Sequence, residues 1–115
     1  MNRVINRGDI FWAAPEPVFG AEQNKPRPWL VISNNVGNFF GPTVIVAGIS
    51  RQEAKLPTHA VIGEESGCLP GRVMCEQIKT MDKHRLMERW GRATPEVMAE
   101  VDKALAVAVG LHKQE

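Results

Sequence analysis

Arg27 is the residue whose type and setting point most directly to chemistry. It stands in the stretch Glu22-Gln23-Asn24-Lys25-Pro26-Arg27-Pro28-Trp29-Leu30-Val31-Ile32-Ser33-Asn34, which begins polar and ends apolar. A guanidinium stays charged at any physiological pH, and its fork fits two oxygens of a phosphate or a carboxylate. Glu22 lies five residues earlier, within loop reach of the same spot. The pair reads either as an ordinary ion pair or as a cation held for an anionic substrate, and residue physics alone favours the ion pair. The neighbouring elements decide how firmly Arg27 is held. Leu30, Val31 and Ile32 suit a buried strand. Pro28 lacks an N–H and fits the first position of such a strand. Arg27 therefore sits where a loop becomes a fixed strand.

The rest of the chain supplies the frame. Apolar spacing predicts a strand over Ile10 to Ala14, ended by Pro15 and Pro17. The loop from there to Arg27 is long enough to be a binding loop or lid. A second strand covers Trp29 to Ser33, followed by a turn-rich link through Asn34, Asn35, Gly37 and Asn38. Val44, Ile45, Val46 and Ile49 mark a third strand, Thr43 to Ser50. Polar loops over 51–57 and 63–71 flank a fourth strand, Thr58 to Ile62. A fifth runs Arg72 to Thr80. Asp82 caps a helical turn through Leu86, and Glu88 to Arg92 adds an edge strand. Thr94-Pro95-Glu96 opens a helix: Thr94 caps, Pro95 fits the first turn, and Glu96 favours the positive end of the dipole. Val97, Val101, Ala104, Leu105 and Ala108 keep helical spacing until Gly110 stops it. Five or six short strands before one helix predict a mostly β fold, a small, strongly bent antiparallel barrel with a C-terminal helix. No repeat or internal boundary divides 1–115, so one domain is expected.

Composition narrows the function. The 115 residues carry a net charge of +1, so no global basic field announces nucleic acid, and any RNA site must be a local patch. With 43% hydrophobic and 23% charged residues the chain should fold. Cys68 and Cys75 match no zinc spacing and are too few for a disulfide scaffold, which implies a reducing, cytoplasmic setting. No apolar run approaches the roughly 18 residues of a membrane span, and no signal peptide is visible.

Three groups of motifs now fall in order. They are Arg7-Gly8-Asp9-Ile10 with Gly20-Ala21-Glu22-Gln23; Arg27 to Asn34 with Val44 to Ser50; and Leu56-Pro57-Thr58-His59 with Cys75-Glu76-Gln77-Ile78-Lys79-Thr80-Met81-Asp82. This pattern resembles the MazF/PemK (Kid) family of toxin endoribonucleases over nearly the whole chain. The resemblance implies an SH3-like barrel with a C-terminal helix, a homodimer, and metal-independent, sequence-specific cleavage of single-stranded RNA with no cofactor. It also implies a cognate antitoxin, MazE-like or equivalent, and DNA binding together with that antitoxin.

RNA carries its own nucleophile, the 2′-OH. Cleavage needs a base for that proton, a donor to the leaving 5′-oxygen, and charge stabilisation of the phosphorane. The resemblance implies 2′,3′-cyclic phosphate and 5′-OH ends. Arg27 is expected to supply the charge. Ser50 stands where relatives often carry Thr; its hydroxyl can donate equally but lacks the methyl that limits rotamers. By itself Ser50 would read as a strand-ending turn residue. Glu22 and Glu76 are both candidates for the base. Glu76, beside Cys75 and Ile78 in a strand, is expected to be partly buried with a raised pKa. Some relatives set an Arg two residues before this acid and a His before the loop acid; Met74 and Ala21 occupy those positions here, so that acid–base set is absent.

Binding calls for stacking and phosphate contacts. Phe19 is the aromatic expected to stack, with Phe39 and Phe40 next, one of which should pack in the core. Trp12 is read as core or dimer surface. Lys25, Arg51, Lys55 and Lys79 could reach phosphates, Gln23 is a further candidate for RNA contact, and Gln77 could read a base edge bidentately. Each alone also fits a solvated or satisfied surface residue, and Asn34, also a candidate for RNA contact, fits a turn. His59, His84 and His112 share no face and show no acidic partner, so none is expected to ligate or catalyse. Cys75 reads as a buried strand residue. The alternative on the same fold is a CcdB-like gyrase-binding toxin. Such toxins act through an aromatic, apolar tail, and this chain ends on Gly110-Leu111-His112-Lys113-Gln114-Glu115, which is polar.

Overall fold

A computed structural model of the chain describes residues 3–14, 26–51, 56–67 and 70–111. Six strands form one antiparallel sheet: β1 Asp9–Ala13, β2 Arg27–Val31, β3 Thr43–Ser50, β4 His59–Ile62, β5 Gly71–Asp82 and β6 Leu86–Arg92. Their spatial order is β4-β5-β3-β2-β1-β6. A short helix, α1 (Asn35–Phe40), joins β2 to β3, and α2 (Pro95–Ala108) ends the described chain. The third strand and the terminal helix follow their sequence signals closely. Thr94 accepts from the Val97 N–H at 3.1 Å, so the capped start of α2 forms as its residues dictate. Likewise Asp82 caps the single turn Lys83–Arg85 by accepting from the His84 N–H.

Alternation along the strands divides the apolar residues between two clusters. Ile10, Leu30, Ile32, Ala47, Ile49, Ala60, Ile62, Val73 and Cys75 face α2, meeting Val97, Val101 and Ala104. The other face collects Phe11, Ala13, Trp29, Val31, Val44, Val46, Met81 and Leu86 with Ile5. Serving both takes a bend in β5. Between Ala47↔Ile78 and Gly48↔Met74 its register shifts, leaving Cys75, Glu76 and Gln77 out of the β3 ladder. The ladder does not close, but its two edges meet. A Cβ on Gly91 of β6 would stand 2.1 Å from the Ser66 carbonyl oxygen beyond β4, so only glycine allows this approach.

One element departs from the expectation. The turn-rich link over 35–40 is a helix. The Asn34 side chain accepts from the Gly37 N–H at 2.8 Å, and buried Asn38 is bonded to Ser33 and Asn35, so side-chain amides hold a turn that propensity alone would not. Contrary to the expectation that one would pack in the core, Phe39 and Phe40 are both exposed, 71% and 78%, with their rings edge to face at 4.8 Å.

Candidate active site

The ladder brings Arg27 and Ser50 together. β2 and β3 pair as Trp29↔Gly48, Leu30↔Ala47 and Val31↔Val46. Arg27 and Ser50 lie two residues beyond this ladder on the two strands that form it, and both line one hollow. The ladder itself begins at Trp29, one residue past Pro28, which has no N–H to give. Trp29 fixes this end: its indole is buried and donates to the Ala13 carbonyl at 3.2 Å. β5 passes close on the other side, where a Cβ on Gly71 would stand 2.7 Å from the Ser50 carbonyl oxygen. The two side chains are thus mounted on a rigid strand pair.

Arg27 is exposed, and among the described residues no carboxylate lies within ion-pair distance of it. A hollow of about 300 Å³ opens here, lined by Trp12, Arg27, Pro28, Ile49, Ser50, Arg51, Pro70 and Trp90. Three residues singled out in the sequence therefore share it. Trp12 does too, instead of filling the core: it is half-buried, its ring 4.8 Å from that of Trp90 at 45°. Sequence reasoning passed over Trp90 altogether. The signal was there, since an aromatic late in the edge strand returns beside β1, but its placement depends on β6 pairing with β1 across most of the chain.

Glu76 belongs to another neighbourhood. The Thr58 hydroxyl donates to its Oε1 at 2.7 Å, and the buried His59 ring bonds Oε2 through Nε2 at 3.1 Å. The Leu56 N–H donates to His59 Nδ1 at 3.4 Å, which leaves Nε2 to carry the proton. Two expectations are corrected here. Glu76 does not have a raised pKa: burial pushes it up, but the bonds from Thr58, its own backbone N–H and His59 outweigh that and hold the carboxyl below its ordinary value. His59 does have an acidic partner, seventeen residues away and visible only once β4 pairs with β5. Glu76 is four residues along β5 from Arg72, the partner of Ser50. That is roughly 13 Å of strand, and Glu76 does not line the hollow.

The remaining candidates disperse. Asn34 caps α1. Gln77 lies in the β5 bulge, and Lys79 is exposed opposite Val46. Glu22, Phe19, Gln23, Lys25 and Lys55 lie outside the described residues. Cys75 is buried against α2, and its thiol is pushed up to about 11, first by burial and then by the Glu76 charge, with Arg7 opposing and Asp102 adding to the rise. Among the described residues no three His, Cys, Asp or Glu side chains cluster as metal ligands would, and no helix is long and apolar enough to cross a membrane.

A strongly bent antiparallel sheet with a terminal helix thus carries Arg27 and Ser50 at the edge of one hollow. Residues 6–109 match the family model described as PemK-like, MazF-like toxin of type II toxin-antitoxin system. The chain belongs to that family. It is 43% identical over 115 residues to endoribonuclease EndoA of Bacillus subtilis (strain 168), covering 94% of this chain and 97% of the relative. Among solved structures, an endoribonuclease from a mycobacterial species superposes with a TM-score of 0.82 at 27% identity, covering 97% of each chain. A mycobacterial endoribonuclease in complex with its cognate antitoxin gives 0.82 at 28%, covering 96% of this chain and 99% of that one.

Proposed function

We propose that this toxin is a metal-independent endoribonuclease that cuts single-stranded RNA at a short sequence through attack of the 2′-OH on the adjacent phosphate. The observation that carries the reading is that Arg27 and Ser50, on neighbouring strands, line one aromatic hollow. In the transition state the phosphorane oxygens gain charge, and a fixed guanidinium stabilises that charge without reorganising. The Ser50 hydroxyl donates to a second phosphoryl oxygen. The 2′-O–P bond forms as the P–O5′ bond breaks and O5′ takes up a proton from solvent water, giving a 2′,3′-cyclic phosphate and a 5′-OH. Trp12 offers a base-stacking face within the same hollow, and Arg51 a neighbouring positive charge. Glu22, five residues before Arg27 in the sequence, is the proposed proton acceptor, because both oxygens of Glu76 are already engaged and its lowered pKa makes it a weak base.

The working form we propose is a homodimer in the cytoplasm. A second copy would cover the exposed Val36, Phe39 and Phe40 of α1. A cognate antitoxin would restrain it, as the mycobacterial complex suggests. The test is a long, unstructured RNA incubated with pure protein in EDTA, with product ends mapped. Cuts at one recurring short sequence with 5′-OH ends support the reading. An uncut pool contradicts it, and inhibition of gyrase supercoiling by the same sample would move the assignment to a CcdB-like poison.

A further inference from the structure

We propose that the hollow at Arg27 and Ser50 seats a keto base, uracil or guanine, of a nucleotide flanking the cut, and that Trp90 and Arg51 select it against the amino bases adenine and cytosine. The inference rests on the ribonuclease reading above and deepens it. Its basis is the chemistry of the side chains that line the hollow. The apolar walls come from two indoles, two prolines and Ile49, and the polar groups from Arg27, Ser50 and Arg51. At about 300 Å³ the hollow is at the small end of ligand sites, which suits a single flat ring system. The Trp12 and Trp90 rings stand 4.8 Å apart and inclined at 45°. Inclined rings offer a guest two surfaces, since a base stacked on one meets the other obliquely, and both arrangements attract.

Stacking does not tell bases apart, because every base has a π face, so selection falls to the polar groups. An indole carries one N–H donor and no acceptor, and a guanidinium carries five donors and no acceptor. Two of each line this hollow, and of the lining side chains only the Ser50 hydroxyl can accept. Arg27 and Arg51 are exposed, and neither is bonded or ion-paired to a described residue. Among the described residues the Trp12 and Trp90 indoles have no acceptor either, whereas the Trp29 N–H is spent on the Ala13 carbonyl. A guest therefore meets donors. The O4 of uracil and the O6 and N7 of guanine are acceptors, and a guanidinium can take O6 and N7 together. Cytosine and adenine present an amino group at the corresponding position. Its N–H would then face an N–H, and donors left unmatched away from water cost binding. Arg27 is committed to the reacting phosphate, so Arg51, next in the chain after Ser50, is the guanidinium left for the base edge. Because Arg27 and Ser50 hold the phosphate in this same hollow, the seated base belongs to a nucleotide that flanks it.

The test uses the full-length protein and an RNA pool randomised through the cut site. Wild type, Arg51→Gln and Trp90→Phe cleave it in EDTA, the ends are sequenced, and kcat/KM is then measured on oligonucleotides that differ at one flanking base. Thermal unfolding is recorded alongside. Uracil against cytosine and guanine against adenine are size-matched pairs that exchange a keto edge for an amino edge. Wild type should favour the keto base at one flanking position by about ten- to hundredfold. Arg51→Gln, whose amide can also accept, should bring that ratio to within about threefold. Trp90→Phe keeps a ring and loses the N–H, so it should lower the ratio part of the way. Wild-type cutting that ignores the keto edge, or favours amino bases, at both flanking positions overturns the inference and leaves the ribonuclease reading standing. A keto preference untouched by both substitutions also overturns it. So do variants that slow all four substrates equally in step with a lowered unfolding temperature, since that marks a merely structural role. A wild type that cuts nothing retires the ribonuclease reading and this one together.

Discussion

Two polar groupings lie on the same sheet, and they have been finished differently. At Thr58, His59 and Glu76 every strong hydrogen-bonding atom has a partner: both carboxylate oxygens accept, and the imidazole is bonded at both nitrogens. Such a cluster ties β4 to the β5 bulge and needs nothing from solution. At Arg27 and Ser50 the strands are equally rigid, yet the guanidinium is exposed with no carboxylate beside it among the described residues. An arginine elsewhere in this chain is paired internally: Arg92, itself exposed, binds the buried Asp9 at 2.8 Å. On the proposed reading, the difference separates a structural network from a site, and the charge held at Arg27 takes its partner from the RNA.

The comparison breaks first at Arg27. Arg27→Ala should lower kcat on RNA by about 10²–10³, as expected for removal of one preorganised donor to a developing oxyanion, while the unfolding temperature stays near that of wild type. Chemical quench of a single turnover measures the first and calorimetry the second. Next is Trp12→Ala. If its ring receives a base, the loss is about 1–3 kcal/mol of binding, read as KM or by fluorescence titration of an uncleavable 2′-deoxy substrate. Ser50→Ala should cost roughly tenfold in kcat, and Ser50→Thr should equal or exceed wild type because the added methyl restricts the hydroxyl's rotamers.

Glu76→Gln sharpens the other half, with the smallest effect. Its carboxyl is held below the ordinary value of 4.5 in the folded state. The stabilisation is therefore fully present above pH about 4.5 and is lost as pH falls through the folded value. Urea unfolding at pH 7 should show Glu76→Gln weaker than wild type by at most about 1 kcal/mol, since the side chain is a third exposed. The gap should narrow as pH falls below 4.5. Cleavage at pH 7 should change less than threefold.

What the sequence made legible was local. Thr43–Ser50 is a strand because β-branched residues run nearly unbroken, and α2 begins at Thr94 because the cap is written in three residues. Arg27 and Ser50 could be named because each terminates a readable strand. Their meeting at one hollow needed the β2–β3 pairing, which no single segment encodes. The helix α1 was hidden because Gly37 and three asparagines look like a turn, and only the bonds from Asn34 and Asn38 make them helical. The His59–Glu76 pair and the meeting of Trp12 with Trp90 were hidden because their partners lie far apart in the chain. Neither leaves a trace in periodicity. The raised pKa expected of Glu76 failed for the same reason: the residue is exposed instead of partly buried, and the donors that hold its carboxyl down come from a distant segment.

The central claim is that chemistry resides in the open Arg27–Ser50 site and not in the closed Glu76 cluster. The most direct measurement is single-turnover cleavage of one unstructured RNA in EDTA by wild type, Arg27→Ala and Glu76→Gln in parallel. The account predicts comparable rates for wild type and Glu76→Gln, with Arg27→Ala slower by two orders of magnitude or more. A Glu76→Gln enzyme as inactive as Arg27→Ala, while still folded, would contradict it and make the carboxylate a participant in the reaction.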